Sequence, residues 1–445
     1  MTRKIRDMRC TRSIFEEGSK KVFLTKEEEG MLRGEYGPGI QRSMELLVEL
    51  GEAFDAKNMI LAQSAHVHGA MPLDLLSELT EGVNLCRVMT TTHANAAPDA
   101  LDPEGCRRIG IPEGYDIYEL VHGGPWNEIV AIFKRLGYFL TNTCIQFLVG
   151  NLPRRGDVIS WGGSSGALIA NSMLGACASR DSIPVNVATS VTGRVPCIGM
   201  AVKENRYARI LVKVEGLDLE NLSNEDYGAL GFYIGGKTGI KNVVIEGLPD
   251  SLTFEQFRYL TSPMPVSGAT SMCHVAGVTP EASTLNEALG GKKPEEVITI
   301  GKAQIREAVE KLTTAESDSV DLVKIGCPHC SITEIRNILS LLGEKKVHPN
   351  VRFWIATAKQ VYTLAKEMDY VDTIKRAGGV FTDCCIGSAD PFNFIGPKLG
   401  VVTVATNSAR SANISARASG SRVRILYGNM KHCIDAAITG NWRVA

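Results

Sequence analysis

No uncharged apolar stretch in this 445-residue chain approaches the roughly 18 residues needed to cross a bilayer, so a spanning helix is not expected. The segment from Met1 to Cys10 carries basic residues with no apolar run behind them and does not read as a secretory signal. An excess of either charge is also missing. The formal net charge is −1, which removes any electrostatic case for nucleic acid or an anionic membrane as partner. Internal repeats and low-complexity stretches are absent. So is a disulfide pattern: 12 cysteines at irregular spacing in so long a chain do not form the dense framework of small secreted domains. These absences point to a globular protein of a reducing, cytoplasmic compartment. Some of its cysteines would be ligands and the rest would fill space.

What is present is an alternation of strands and helices. At this length two domains are the natural expectation. Thr25 and Glu28 have capping-box spacing at a helix start. Periodicity predicts helices over 40–54, 72–81, 126–136 and 167–176, and a short one over 285–289. It predicts strands over 58–63, 83–89, 138–142, 158–161, 206–214 and 242–246. Residues 290–318 are highly charged and read as helical. A second series begins at 321, with strands over 351–356, 380–383, 401–405 and 423–427 between helices over 333–342, 359–368 and 432–439. The expected organisation is an extension over 1–21, an α/β catalytic region over 22–290, a helical connection over 291–318 and a second α/β region over 319–445. Strands alternating with helices imply several mostly parallel sheets flanked by helices. The 44 glycines, many at strand-to-helix turns, fit backbone-lined loops.

Three cysteines far apart in sequence each follow a predicted strand: Cys144, Cys327 and Cys385. Sites assemble at strand ends in open α/β sheets. Three thiolates meeting there would suit an iron–sulfur cluster with one iron left free for substrate. Cys327-Pro-His-Cys330 also fits a thiol-redox motif at a helix start. Cys384 is adjacent to Cys385, and only one of two successive strand residues can point into a site. Cys10, Cys86, Cys106, Cys177, Cys197, Cys273 and Cys433 read as space-filling or exposed.

Gly162-Gly-Ser164-Ser165-Gly166 fits G-x-S-x-G between a strand and a helix, the setting of a hydrolase nucleophile. Gly-Ser loops before helices also bind carboxylate or phosphate through backbone N–H groups. In Thr406-Asn407-Ser408-Ala-Arg410, the guanidinium suits a substrate carboxylate because its fork is bidentate. Ser64-Ala-His66-Val-His68 follows a strand and could contact substrate or metal. His93, His122 and His274 lie in small-residue surroundings that do not rank them.

The chain resembles the aconitase X family, and specifically its large catalytic subunit. Seven segments carry the likeness: Leu24-Thr-Lys-Glu-Glu…Gly34-Glu-Tyr-Gly, Thr141-Asn-Thr-Cys144, Asn151-Leu-Pro…Gly156-Asp, Ala170-Asn-Ser-Met-Leu-Gly175, Ile325-Gly-Cys-Pro-His329, Asp383-Cys-Cys385 and Ala405-Thr-Asn-Ser408. They run in family order along nearly the whole chain. The resemblance implies an aconitase-like α/β fold and an iron–sulfur cluster, or a mononuclear iron in its place, held by Cys144, Cys327 and Cys385. It implies a hydro-lyase that dehydrates a small hydroxy acid, and a partner: a small, swivelling-domain subunit that closes over the cluster. The site is then expected to use Ser164, Ser165 and Arg410 in catalysis, and Ser64, His66, Asn407 and Ser408 in substrate binding. Two further readings are a serine hydrolase using Ser164 and an inactive scaffold that binds the small subunit. One departure stands out. Relatives resemble Trp-x-Glu-Ser, whereas this chain reads Trp161-Gly-Gly163-Ser164, so an acidic side chain is replaced by Gly163.

Overall fold

The computed structural model describes residues 21–94, 101–111, 126–385, 393 and 396–442. Nearly all of the expected extension lies outside them, as do Cys10, His122 and Gly123-Gly-Pro. The capping box forms as expected, with the Glu28 backbone N–H donating to Thr25 Oγ1 and Glu28 Oε2 accepting from the Thr25 N–H.

Three sheets organise the described chain, and every strand pair within them is parallel. The first runs in the spatial order Met89–Thr92, Ser64–Val67, Val158–Trp161, Cys177–Ala178. The second runs Glu296–Ile300, Ile210–Val214, Val243–Glu246, Cys273–Val275. The third runs Gly379–Thr382, Arg352–Thr357, Leu322–Cys330, Thr403–Thr406, Arg424–Tyr427. A separate antiparallel pair joins Met59–Leu61 to Arg194–Pro196. Parallel strands covered on both faces read as near-continuous apolar runs, and Phe353, Trp354, Ile355 and Ala356 are all fully buried.

Some elements differ from the sequence reading. Residues 291–318 are not a helical connection: Glu296–Ile300, rich in β-branched residues, is an edge strand of the second sheet, followed by the helix Lys302–Leu312. Residues 138–142 form no strand beyond a single bridge from Phe139 to Thr91. Side-chain and backbone bonds take over there. Thr141 Oγ1 donates to the Thr92 carbonyl at 2.9 Å, and Asn142 adopts φ +42. The helix expected over 167–176 begins three residues earlier, at Ser164, and ends at Ser172.

Chain order places the crevices. In the third sheet the chain leaves Leu322–Cys330 for two strands on one side and returns to two on the other. The switch point therefore lies between Cys327 and the loop after Thr406. In the first sheet it lies between Ser64–Val67 and Val158–Trp161. Ligands in open α/β sheets bind at such points, beyond the carboxyl ends of the strands.

Candidate active site

The two crevices meet. From the third sheet, Gly326 adopts φ +112, and a Cβ there would lie 2.2 Å from the Ala356 carbonyl oxygen. Only glycine fits, and the irregular register that follows turns Cys327 out of the ladder. The His329 backbone N–H donates to Cys144 Sγ at 3.2 Å. The His329 ring joins the other two loops: Nδ1 pairs with Thr143 Oγ1 at 3.0 Å and Nε2 with the Cys384 carbonyl at 3.1 Å. A carbonyl only accepts, so Nε2 carries the proton and Thr143 donates to Nδ1. One histidine thus fastens all three cysteine segments to one another.

Burial pushes the Cys144 thiol up to about 12, and Cys327 and Cys385 add to the rise. Burial pushes Cys327 up to about 11. Arg410 and the Ser408 hydroxyl hold it down while Cys385 raises it further. These sulfurs share one electrostatic environment. Cys385 is partly exposed, whereas Cys384 is fully buried in the core, so Cys385 is the member of that pair that faces the site. Cys330 is fully buried, and burial raises its thiol well above the ordinary range. That is the reverse of an activated redox thiol. No three His, Cys, Asp or Glu side chains among the described residues close on one point as a single-ion site. A multi-iron cluster spreads its thiolates over different irons; Cys144, Cys327 and Cys385 would supply three, one fewer than the four that commonly hold such a cluster, which would leave one iron open to substrate.

From the first sheet comes an anion cradle. The helix Ser164–Ser172 starts at Gly163 with no side chain capping it, so its leading N–H groups are available. Arg410 lies across that helix start. Its Nη2 donates to Ser164 Oγ at 3.2 Å and its Nη1 to the Ser262 carbonyl at 3.1 Å. Ser165 is buried in the first helical turn. Ser164 therefore bonds to a guanidinium, and among the described residues no histidine hydrogen-bonds to it.

Four other expected residues stand elsewhere. Ser64 is at the opposite, amino end of its strand, where its hydroxyl accepts from Trp161 Nε1 at 3.1 Å. Asn407 is buried and spends its amide on Glu225 Oε1 at 3.0 Å and the Tyr259 hydroxyl at 2.8 Å. That network continues through Tyr259 to Glu334 and from Glu334 to Arg258, whose Nη1 braces the His329 carbonyl at 3.0 Å. Ser408 caps the helix Ala409–Ala418 and donates to the Cys327 carbonyl, so it holds the cysteine loop. His66 is fully buried one layer back, between Thr91 and His93. Its neighbour His93 approaches the helix start, a place that no spacing in the sequence signalled. The space left at Gly163 is filled by that ring: a Cβ at 163, where φ is +91, would lie 2.6 Å from His93 Cε1.

This geometry matches known proteins along the whole described chain. Family models for the first, second and third domains of aconitase X match residues 21–204, 208–310 and 320–439. The phosphomevalonate dehydratase large subunit of Methanothermobacter thermautotrophicus is 34% identical over 407 residues, covering 89% of this chain and 94% of that protein. Cis-3-hydroxy-L-proline dehydratase of Pseudomonas aeruginosa is 29% identical over 421 residues, covering 93% of this chain and 69% of that protein. The crystal structure of Thermococcus kodakaraensis aconitase X in its holo-form superposes with a TM-score of 0.78 at 28% identity. The match spans 94% of this chain and all of that one. The chain belongs to the aconitase X family.

Proposed function

We propose that this chain is the large, cluster-bearing subunit of a two-subunit dehydratase acting on a small hydroxy acid. The class is hydro-lyase, as for the named dehydratases it matches. The observation that carries the reading is the meeting of Cys144, Cys327 and the Cys384-Cys385 segment around His329, with Arg410 acting on both Cys144 and Cys327. Cys144, Cys327 and Cys385 would hold the iron–sulfur cluster. When bound, it supplies a Lewis-acidic iron that makes hydroxide a better leaving group.

The remaining work falls to the protein. Arg410, the Ser164 hydroxyl and the leading N–H groups of the helix Ser164–Ser172 bind the substrate carboxylate and stabilise the charge that builds on it as the neighbouring proton leaves. Arg410 is fixed by the Ser262 carbonyl, so the fork is oriented before substrate arrives. Ser408 and His329 hold the cysteine loops in register. The partner is a small subunit that completes the pocket, in line with the words "large subunit" in the names of the archaeal relatives. Gly163 gives this chain a pocket wall unlike that of its relatives, which bears on which hydroxy acid fits.

The test is anaerobic co-purification with a candidate small subunit, followed by assay of phosphomevalonate and cis-3-hydroxy-L-proline for loss of water. Formation of an unsaturated acid from either one, lost in Cys327→Ala, is expected. Metal-independent ester hydrolysis with covalent labelling of Ser164 would replace this reading with the hydrolase one.

A further inference from the structure

Resting on the dehydratase reading, we propose that His93 is the acid–base residue of the site, held by a Thr91–His66 relay and admitted by the missing side chain at Gly163. His93 is the first residue after the strand Met89–Thr92, and its backbone N–H donates to the Val67 carbonyl at 2.9 Å. That bond fixes it beside the strand whose end carries His66 and His68. The ring lies against the Gly163 backbone, with a Cβ there predicted 2.6 Å from Cε1, 2.9 Å from Nδ1 and 3.4 Å from Nε2. Gly163 is the residue at which the uncapped helix begins, so the imidazole stands beside the cradle proposed for the carboxylate. Its ring also lies 4.8 Å from that of His68, and it feels the charge of Arg410.

A linear set of hydrogen bonds runs behind it. Asn151 Nδ2 donates to Thr91 Oγ1 at 2.8 Å, Thr91 Oγ1 pairs with His66 Nδ1 at 2.8 Å, and His66 Nε2 pairs with His93 Nδ1 at 3.0 Å. The Asn151 amide only donates, whereas the two links that His66 makes, to Thr91 and to His93, can each be donated in either direction. When His66 donates to Thr91, His93 donates to His66 and presents a bare Nε2. When Thr91 donates to His66, His66 donates to His93 and Nε2 carries a proton. Both states are neutral and both keep the bonds to Thr91 and His93, so the relay lets one imidazole serve as base or acid without moving. Burial, with the neighbouring imidazoles and Arg410, favours the neutral ring before substrate binds. An anionic substrate on Arg410 brings the counter-charge that favours protonation.

The step balances on the substrate alone. Nε2 takes the proton from the carbon next to the carboxylate, and the C–H electron pair becomes the C=C bond. The C–O bond breaks, hydroxide departs with that electron pair, and the proton on His93 passes to it, giving water and neutral imidazole.

The test uses the two-subunit holoenzyme with phosphomevalonate and cis-3-hydroxy-L-proline. His93→Asn keeps a polar group near the position of Nδ1 and removes Nε2. It is expected to lower kcat about 10²–10⁴-fold with KM little changed, and with iron and sulfide per chain equal to wild type. Gly163→Ala, which drives the ring from its place, is expected to lower kcat at least about tenfold. A kcat within about threefold of wild type in His93→Asn would overturn the assignment, as would a loss that merely tracks lost iron. Failure of the dehydratase reading would show instead in the wild type, as no turnover of either compound. Independently of turnover, phosphomevalonate should shield His93 from carbethoxylation mapped by mass spectrometry. Equal labelling with and without it would also overturn the proposal.

Discussion

The carboxyl ends of the first and third sheets face the same space with opposite chemistry. The third sheet presents sulfur: Cys327 on its central strand, its thiol raised by burial, and Cys385 after its edge strand. The first presents proton carriers and N–H donors: the Thr91–His66–His93 relay and the open helix start at Ser164. Cys144 belongs by sequence to the first-sheet region, yet it bonds to the third-sheet loop. Its loop is bonded on one side to the Thr92 carbonyl, through the Thr143 N–H at 3.1 Å, and on the other to His329. The difference teaches a division of labour. On the proposed reading, one sheet end would hold the cluster that accepts the leaving oxygen and the other would manage carboxylate and proton, with Arg410 between them.

The sharpest way to break the comparison is to remove sulfur. Cys144→Ala, Cys327→Ala or Cys385→Ala should each abolish cluster absorbance and all measurable dehydration. Cys330→Ser should keep both, since its sulfur is enclosed in the core. Next comes the brace beneath the cysteine loop. Arg258 is fully buried between Glu255, Glu334 and the His329 carbonyl. Arg258→Leu leaves two carboxylates without their cation and should cost about 3–5 kcal/mol of stability in a denaturant titration. On the first-sheet side, Arg410→Lys keeps charge but loses the fork. KM should rise roughly 10–100-fold while the cluster is retained, a loss of about 1.4–2.8 kcal/mol in binding.

The smallest effect tests the bridge between the regions. Burial lifts the Glu225 carboxyl to about 7, although Asn407 donates to it. A carboxyl raised on folding stabilises most below its unfolded value and loses that contribution as pH rises through its folded one. Relative to wild type, Glu225→Gln should therefore gain stability progressively between about pH 4.5 and 7 and level off above. The gain should be about 1–3 kcal/mol, read from unfolding midpoints at each pH.

Much of this was legible in the sequence because it rests on local pattern. The parallel α/β architecture follows from alternation, and Val158–Trp161 appears as the spacing predicts. That the loops carrying Cys144, Cys327 and Cys385 adjoin one another was readable from strand ends and family likeness together. What failed depends on neighbours far away in sequence. Asn407 looked like a substrate ligand in a polar loop, yet Glu225 and Tyr259, some 180 and 150 residues distant, claim its amide. Ser64 lies at the wrong end of its strand, a matter of two or three residues that periodicity does not resolve. His93 carried no motif at all. Its place becomes visible only when Gly163, 70 residues on, is seen to have left room for a ring.

The most direct measurement is iron and acid-labile sulfide per chain after anaerobic purification with the small subunit, in wild type, Cys144→Ala, Cys385→Ala and Cys330→Ser. Iron and sulfide together in the wild type and in Cys330→Ser, and neither in the two alanine variants, is the expected result. Iron and sulfide unchanged in Cys144→Ala, or iron without sulfide in the wild type, would contradict a cluster held where the two sheet ends meet.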